Sequence, residues 1–329
     1  MVFETEAGRA MKLWVFPIWV LMLAQADAAV FDVIISGSGG EDEYSERFDD
    51  WGQRLRRVLI ERCDHPAANV LLVNEAGENA DGNSSIKGIR NVFRGLLERV
   101  TSGDDVFIFL IGHGSYRRQV AKLNIPGADL TAEDLDGFLK MLSARRIIVV
   151  NGASMSAPFV NALSRDGRII CASTRSTDQR NATQFMRFFV QALEDGSADQ
   201  NRDDRISMLE ICTQASSLTD AWFLSEGLIA TENAILDDNG DGLGTRLSDI
   251  GEGDGSLADR CFLLNFRVPK GASPALVAAY GKAIDEVQAL VKKKATMDSA
   301  AYYQLLEREL VKASKLNREI RKQPQINTD

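Results

Sequence analysis

The chain has 329 residues, of which 45% are hydrophobic and 26% charged, an ordinary composition for a globular protein. This length leaves room for one large domain, or for a domain with an appendage. The formal net charge is −9 at pH 7, and no basic patch stands out to neutralise phosphates, so we expect no nucleic-acid partner.

The N-terminal stretch has the pattern of a signal peptide. Residues 13–24 form an apolar run, and residues 26–28 (ADA) form a small-x-small cleavage site. The run is shorter than the roughly 20 residues that a membrane span needs. The sequence therefore predicts a cleaved signal peptide over residues 1–28, an exported protein, and no stable membrane span after cleavage. The alternative is an uncleaved N-terminal anchor.

The first predicted elements of the mature chain are a strand over residues 30–36 and an amphipathic helix that follows residues 37–40 (GSGG). A glycine-rich turn between a strand and a helix suggests a phosphate-binding loop. We reject that interpretation, since the full G-x-G-x-x-G spacing is absent and the acidic residues 41–43 would repel a phosphate.

The following segments alternate between strand and helix patterns, with a long loop over residues 113–130. This alternation predicts an α/β fold, with a mostly parallel sheet and helices on both faces. The predicted strands are residues 70–73, 106–111, 146–151 and 168–171, and the predicted helices are residues 86–100, 131 onward, 158–163 and 181–193.

Two of these strands end next to polar side chains. His113 follows the strand over residues 106–111, and Ser154 follows the strand over residues 146–151. Ligands bind at the carboxyl edge of open parallel sheets. We therefore expect the two strands to be neighbours and His113 to face Ser154.

Three segments around these strands carry a family resemblance. Residues 109–115 (FLIGHGS), 149–159 (VVNGASMSAPF) and 168–176 (RIICASTRS) resemble the legumain/caspase-type cysteine peptidase superfamily, and its legumain-like branch in particular. The resemblance covers residues 30–195, and residues 231–245 (TENAILDDNGDGLGT) resemble a bacterial exported subgroup. It implies a caspase-like fold with flavodoxin-like strand order, in a protein that is periplasmic or secreted. It also implies that His113 is the catalytic base and that the Gly114 N–H helps to form an oxyanion hole.

The chain departs from this family at the nucleophile, because Ser154 stands where the family has cysteine. A serine hydroxyl needs a well-oriented base, whereas a cysteine thiol is partly ionised at neutral pH. Our first hypothesis is a degenerate peptidase that binds a peptide or protein partner. The second is an active endopeptidase that uses a Ser154–His113 dyad, or less plausibly Ser156. Arg175 and Asp178 are candidate pocket residues.

The remaining histidine and the cysteines leave alternatives open. Cys63, Cys171, Cys212 and Cys261 contain no C-x-x-C pair, so a zinc site is not expected. Export would permit up to two disulfides, and buried free thiols are the alternative. Cys171 is also a weak candidate nucleophile. His65 follows a helix in a polar loop, where we expect it at the surface.

Two acidic loops, residues 199–210 and 237–249, have the ligand spacing of EF-hand calcium loops. Calcium is therefore the predicted metal, with no organic cofactor, and a helix-capping acidic loop is the alternative. The first loop has Asp204 where the pattern expects glycine, and the second has Ser248 where it expects glutamate. The candidate ligands are Asp199, Asn201, Asp203, the Arg205 carbonyl, Ser207 and Glu210 in the first loop, and Asp237, Asn239 and Asp241 in the second.

The C-terminal part differs in character from the α/β domain, which we place at residues 29–268. Residues 269–274 look like a linker, and two helical stripes from residue 275, broken at 296–298, predict an αα-hairpin within residues 269–329. The hairpin is either a helical appendage or a partner-binding element that forms an oligomer through residues 275–322. The second option gives a third hypothesis, a structural envelope protein.

Overall fold

The computed structural model describes residues 28–251, 253–264 and 272–322. The predicted signal peptide up to residue 27 and residues 269–271 of the predicted linker lie outside the described residues. Among the residues that are described, no helix is long and apolar enough to cross a membrane.

The strands of the fold are short, and the central ones follow the apolar runs of the sequence and are buried. Their bounds are β1 Val30–Ser36, β2 Val70–Asn74, β3 Gly82–Asn83, β4 Asp105–Ile111, β5 Gly114–Arg117, β6 Val120–Leu123, β7 Leu130–Thr131, β8 Arg146–Asn151, β9 Arg168–Ala172, β10 Ile206–Ser207, β11 Ile235–Asp237, β12 Thr245–Arg246 and β13 Phe262–Leu264.

Eight of these strands form one mostly parallel sheet, in the order β12-β11-β9-β8-β4-β1-β2-β3. The five central strands β2-β1-β4-β8-β9 run parallel in a flavodoxin-like order, as the sequence predicts. β11 and β12 extend one edge in antiparallel pairing. β4 and β8 are neighbours, with Leu110 paired to Asn151, so the predicted adjacency of the two strands is confirmed.

Helices cover both faces of the sheet, which confirms the predicted α/β class. The core on one face contains residues of α1, α5 and α6, and the core on the other face contains residues of α2, α3 and α4. The helices are α1 Asp42–Glu61, α2 Ile86–Leu97, α3 Ala132–Lys140, α4 Ala157–Leu163, α5 Phe185–Asp195, α6 Met208–Ser225, α7 Pro274–Lys292 and α8 Ser299–Lys322.

Side chains cap the N-termini of several helices. Thr131 and Asp134 form the capping box that the sequence predicts for α3. α5 begins at Phe185 rather than at residue 181, because the Glu232 carboxylate accepts hydrogen bonds from the Gln184 and Phe185 N–H groups. The cap of α5 therefore comes from a residue that is distant in sequence.

The prediction of a long loop over residues 113–130 is wrong, because β5, β6 and β7 form a three-stranded antiparallel sheet there. The β5–β6 turn uses Arg118 and Gln119 at φ of 53° and 64°. Such turns normally carry glycine or asparagine, so the sequence lacks the usual indication. β11 is another strand that the sequence does not predict, since three residues are too few to show a pattern.

The helices α7 and α8 pair as the predicted hairpin, with a 3₁₀ turn at Lys294–Thr296 between them. Their contact has a small apolar core of its own, which contains Tyr280, Ala283, Ile284, Ala313 and Ile320.

The structure decides two open questions about buried side chains. All four cysteines are buried and none takes part in a disulfide, so the alternative of buried thiols holds in this structure. His65 lies in a loop as expected, but the prediction that it is at the surface is wrong, since its side chain is only 6% exposed. The reason is a buried hydrogen-bonding partner, Asp32 on β1.

Candidate functional site

The carboxyl ends of β4 and β8 bring Gly114 and Ser154 into contact. The two strands are parallel neighbours, so the segments that follow them leave the sheet at the same edge. A Cβ atom added to Gly114 would collide with the Ser154 carbonyl oxygen. Glycine is therefore required at position 114 by the close approach of the two backbones.

Ser154 is enclosed at this edge and is only 2% exposed. Its Oγ accepts a hydrogen bond from the Gly114 N–H at 3.1 Å and donates to the Gly114 carbonyl oxygen at 3.3 Å. Among the described residues, the hydroxyl makes both of its hydrogen bonds with Gly114 and neither with His113. The Ser154 hydroxyl is thus satisfied by backbone rather than activated by a base.

His113 is half-buried and packs against the start of α1. Its ring lies edge-on to Tyr44 and Phe48, at centroid distances of 4.7 Å and 4.9 Å. Burial lowers the pKa of His113 below its usual value, and the charge of Arg47 lowers it further, while Glu41 and a hydrogen bond to the Gly39 backbone oppose the shift. The imidazole is therefore neutral at neutral pH.

The Gly114 N–H is the group that the family resemblance implies as an oxyanion-hole donor. In this structure it points at the Ser154 Oγ, 3.1 Å away.

The backbone of Met155, which follows Ser154, is strained. Its φ is 51°, a left-handed conformation that costs a non-glycine residue about 1–3 kcal/mol. Its N–H donates to the Gln179 carbonyl oxygen at 3.0 Å, and this bond helps to hold the conformation.

The other candidate nucleophiles are buried inside the domain. Ser156 is fully buried, and its Oγ lies 2.9 Å from Thr174 Oγ1 and 3.3 Å from Ser173 Oγ. These contacts join the ends of β8 and β9, which is a structural role. Cys171 is fully buried within β9. Ser156 and Cys171 are therefore removed as candidates, because Ser156 Oγ is engaged with Ser173 and Thr174 and Cys171 packs in the hydrophobic core.

The loop after β9 forms a rim beside Ser154. Arg175 and Asp178 are exposed there, and Gln179 ties the loop together. The Gln179 side chain accepts from the Arg175 N–H at 2.8 Å and donates to Asn233 Oδ1 at 3.0 Å. The sequence did not single out Gln179, because its role depends on partners in three separate segments.

Glu75, directly after β2, is a second residue that the sequence did not single out. Its Oε2 accepts hydrogen bonds from the Gly39 N–H at 3.2 Å and from Ser45 Oγ at 2.9 Å. The Gly39 N–H of the glycine-rich turn is therefore already engaged by a carboxylate. The contact agrees with our rejection of a phosphate-binding loop.

The first acidic loop has the backbone form of a calcium loop, but a cation of the chain already contacts it. Asp204 takes the left-handed conformation expected at that position, with a φ of 64°. The Arg205 guanidinium binds Asp203 Oδ2 at 3.0 Å. Ser207 and Glu210 form the capping box of α6. Burial raises the pKa of both Asp199 and Glu210.

In the second acidic loop, backbone N–H groups satisfy the main carboxylate. Asp237 is buried and accepts from the Gly240 and Gly242 N–H groups at 3.1 Å and 2.8 Å. Thr245 Oγ1 donates to Asp254 Oδ2 at 2.6 Å. Across the described residues, no three His, Cys, Asp or Glu side chains gather into a group that could hold a metal ion. Calcium therefore stays a prediction for both loops.

Comparisons with known proteins add little to this geometry. No family model and no curated protein matches the chain. Among solved structures, the chain is similar to protein GSU0716 from Geobacter sulfurreducens, a structural-genomics target, at 10% sequence identity and a TM-score of 0.42. The match covers 66% of this chain and 97% of that one. Similarity at this level indicates neither a family nor an activity.

Proposed function

We propose that this protein is an exported, catalytically degenerate protein of the caspase/legumain type, which binds a peptide or protein segment at the β4–β8 edge without a covalent step. The observation that carries the proposal is the state of Ser154. Its hydroxyl is enclosed and hydrogen-bonded to Gly114 at both its donor and its acceptor side. Localisation rests on the leader pattern of residues 1–28.

The physical argument concerns proton transfer. A serine nucleophile needs a base within about 2.6–3.2 Å of its hydroxyl. In the Ser-His-Asp triad of known hydrolases, loss of the orienting carboxylate alone lowers the rate by about 10⁴. Here the ring contacts of His113 are with Tyr44 and Phe48. Without a base at its hydroxyl, Ser154 does not attack a substrate, and the β4–β8 edge can bind a peptide but not cleave it.

The rim supports binding of an extended segment. Arg175 and Asp178 offer exposed charges beside the edge, and Gln179 fixes the loop that carries them. A peptide that lies along this edge would meet polar groups on one side and the enclosed Ser154 on the other.

An active endopeptidase is the second candidate, and one observation favours it. The Gly114 N–H lies 3.1 Å from Ser154 Oγ, so a donor is already near the site where an oxyanion would form. In this alternative, His113 turns toward Ser154 when substrate binds, and the dyad attacks the peptide carbonyl.

Covalent labelling separates these two candidates. The mature wild-type protein, Ser154→Ala and His113→Ala are treated with a fluorophosphonate and analysed by intact mass. We expect no adduct in any of the three, while wild type retains peptides in a library pull-down and Gln179→Ala retains fewer. A wild-type adduct that both variants lose would identify a serine peptidase and overturn the proposal.

Assembly through the hairpin is the third candidate, and exposed apolar side chains favour it. Val291 and Leu310 are 51% and 47% exposed on α7 and α8. If these residues join copies of the chain, the sedimentation mass of the full chain rises with concentration, and Val291→Glu with Leu310→Glu abolishes the rise. The exposed Gln304→Glu is the control. A mass that does not change with concentration rules out this role.

A further inference from the structure

The segment that surrounds His113 is a corner between β1 and α1, residues 37–48, which we call the β1–α1 corner. Tyr44 and Phe48 contact the His113 ring at interplanar angles of 72° and 76°. The position of the imidazole therefore depends on where this corner sits relative to the end of β4.

The β1–α1 corner is tightly folded on itself at its first glycines. A Cβ atom added to Gly39 would collide with the backbone and side chain of Ser45. Gly37 and Ser38 donate hydrogen bonds to the Ile111 and Asn124 carbonyl oxygens, at 2.8 Å and 2.9 Å. These contacts fix the beginning of the corner against the end of β4, two residues before His113, and against the residue that follows β6.

Glu75 ties the next part of the corner to β2. One oxygen, Oε2, accepts both the Gly39 N–H and the Ser45 hydroxyl, at 3.2 Å and 2.9 Å. The Asn83 side chain donates to the Glu75 carbonyl oxygen, which fixes the backbone from which the carboxylate extends. A charged acceptor makes stronger hydrogen bonds than a neutral one, so this single oxygen is a firm anchor for the corner.

We infer that Glu75 is the positioning residue of the candidate site, which holds the β1–α1 corner where Tyr44 and Phe48 fix the His113 ring. The inference rests on the proposed function, in that it treats the edge around His113 and Ser154 as the functional site. Glu75 touches neither reacting atom. It acts through Gly39 and Ser45, and through them on the imidazole.

The test compares Glu75→Ala with two matched variants. Glu75→Gln keeps an oxygen that accepts from Gly39 and Ser45, and Glu78→Ala removes an exposed carboxylate that lies nearby in the same loop. The first readout is the NMR titration of the His113 ring between about pH 4 and pH 9. The chain has only two histidines, and His113→Gln assigns the resonance.

We expect the His113 titration midpoint to rise in Glu75→Ala, because a released corner exposes the ring to water. The midpoint stays near the wild-type value in Glu75→Gln and in Glu78→Ala. In a Ser154→Cys background, Glu75→Ala slows labelling by an acyloxymethyl-ketone peptide by up to about 100-fold, since small misplacements of catalytic groups have effects of that size.

A His113 resonance and midpoint in Glu75→Ala that match those of Glu78→Ala would overturn the inference. If Glu75→Ala does not fold, Ser45→Ala removes one of the two contacts and decides the question by the same criterion. A midpoint shift without any labelling of the Ser154→Cys proteins would leave the role of Glu75 intact and contradict the proposed function instead.

Discussion

His65 Nδ1 lies 2.7 Å from Asp32 Oδ2, and His65 Nε2 lies 2.8 Å from the Leu263 carbonyl oxygen. Both side chains of the Asp32–His65 pair are buried. A carbonyl oxygen only accepts hydrogen bonds, so Nε2 carries a proton, and a second proton is shared between Nδ1 and Asp32. The pair thereby ties β1 to β13 at a point far from His113 in sequence.

This pair makes stability depend on pH. Burial lowers the pKa of His65, but the Asp32 carboxylate reverses that effect, so the net pKa of His65 is raised. The folded chain therefore keeps a proton that the unfolded chain releases above about pH 6.5. The stability that the pair contributes is complete below that pH and decreases as the pH rises through the folded pKa.

We expect His65→Gln to remove this pH dependence. The variant also leaves Asp32 buried without a charged partner, which lowers the free energy of unfolding by about 3–5 kcal/mol. Urea unfolding on either side of neutral pH measures both effects. His113→Gln is the control. The pKa of His113 is lowered, so removing this histidine changes the stability below about pH 6.5 and leaves the decrease above that pH in place. Equal slopes in wild type and His65→Gln would contradict the account.

Glu232 provides a second prediction about pH. Burial raises the pKa of its carboxyl to about 7, against the hydrogen bonds from the Gln184 and Phe185 N–H groups. Because the folded state holds the proton more tightly, stability falls as the pH rises from about 4.5 to about 7, by about 3 kcal/mol in all.

Glu232→Gln keeps a neutral side chain at the start of α5 and should flatten this part of the stability profile. The difference in free energy of unfolding between wild type and Glu232→Gln, measured from acid to neutral pH, isolates the contribution of this group. A difference that does not change with pH would show that Glu232 does not titrate in this range.

The sequence predicts the parts of the fold that depend on local pattern. Runs such as residues 106–111 are buried on both faces, and apolar side chains at helical spacing lie on the covered faces of α1 and α2. Thr131 and Asp134 are only three residues apart, so their capping box is visible in the sequence as well. The adjacency of β4 and β8 follows from the alternation of strands and helices.

The contacts that the sequence does not reveal join residues that are distant in the chain. Asp32 and His65 are 33 residues apart, and Gly39 and Glu75 are 36 residues apart. Nothing near His65 in sequence distinguishes a buried histidine from an exposed one. The sequence finds Ser154, but only the structure shows that its hydrogen bonds go to Gly114.

Calcium binding stays a prediction for both acidic loops, and the second loop is the simpler one to test. There the carboxylate of Asp237 is held by backbone N–H groups, whereas in the first loop Arg205 already neutralises Asp203. Calcium at about a hundred times its Kd would raise the free energy of unfolding by about 2.7 kcal/mol. Thermal unfolding with calcium and with a chelator measures this effect.

Asp237→Asn should abolish the stabilisation by calcium, because it removes the charge at the first ligand position. Asp249→Asn, at the exposed end of the same loop, should leave it unchanged. Identical melting temperatures with calcium and with chelator would leave both loops with a helix-capping or turn-forming role.

The most direct test of the central claim is the gain of a nucleophile at position 154. Ser154→Cys, wild type and the double variant Ser154→Cys with His113→Ala are treated with an acyloxymethyl-ketone peptide and analysed by intact mass. The account predicts one adduct on Ser154→Cys, none on wild type, and none on the double variant, because the thiol needs the imidazole as its base. An adduct on wild type, or none on a folded Ser154→Cys protein, would contradict the account.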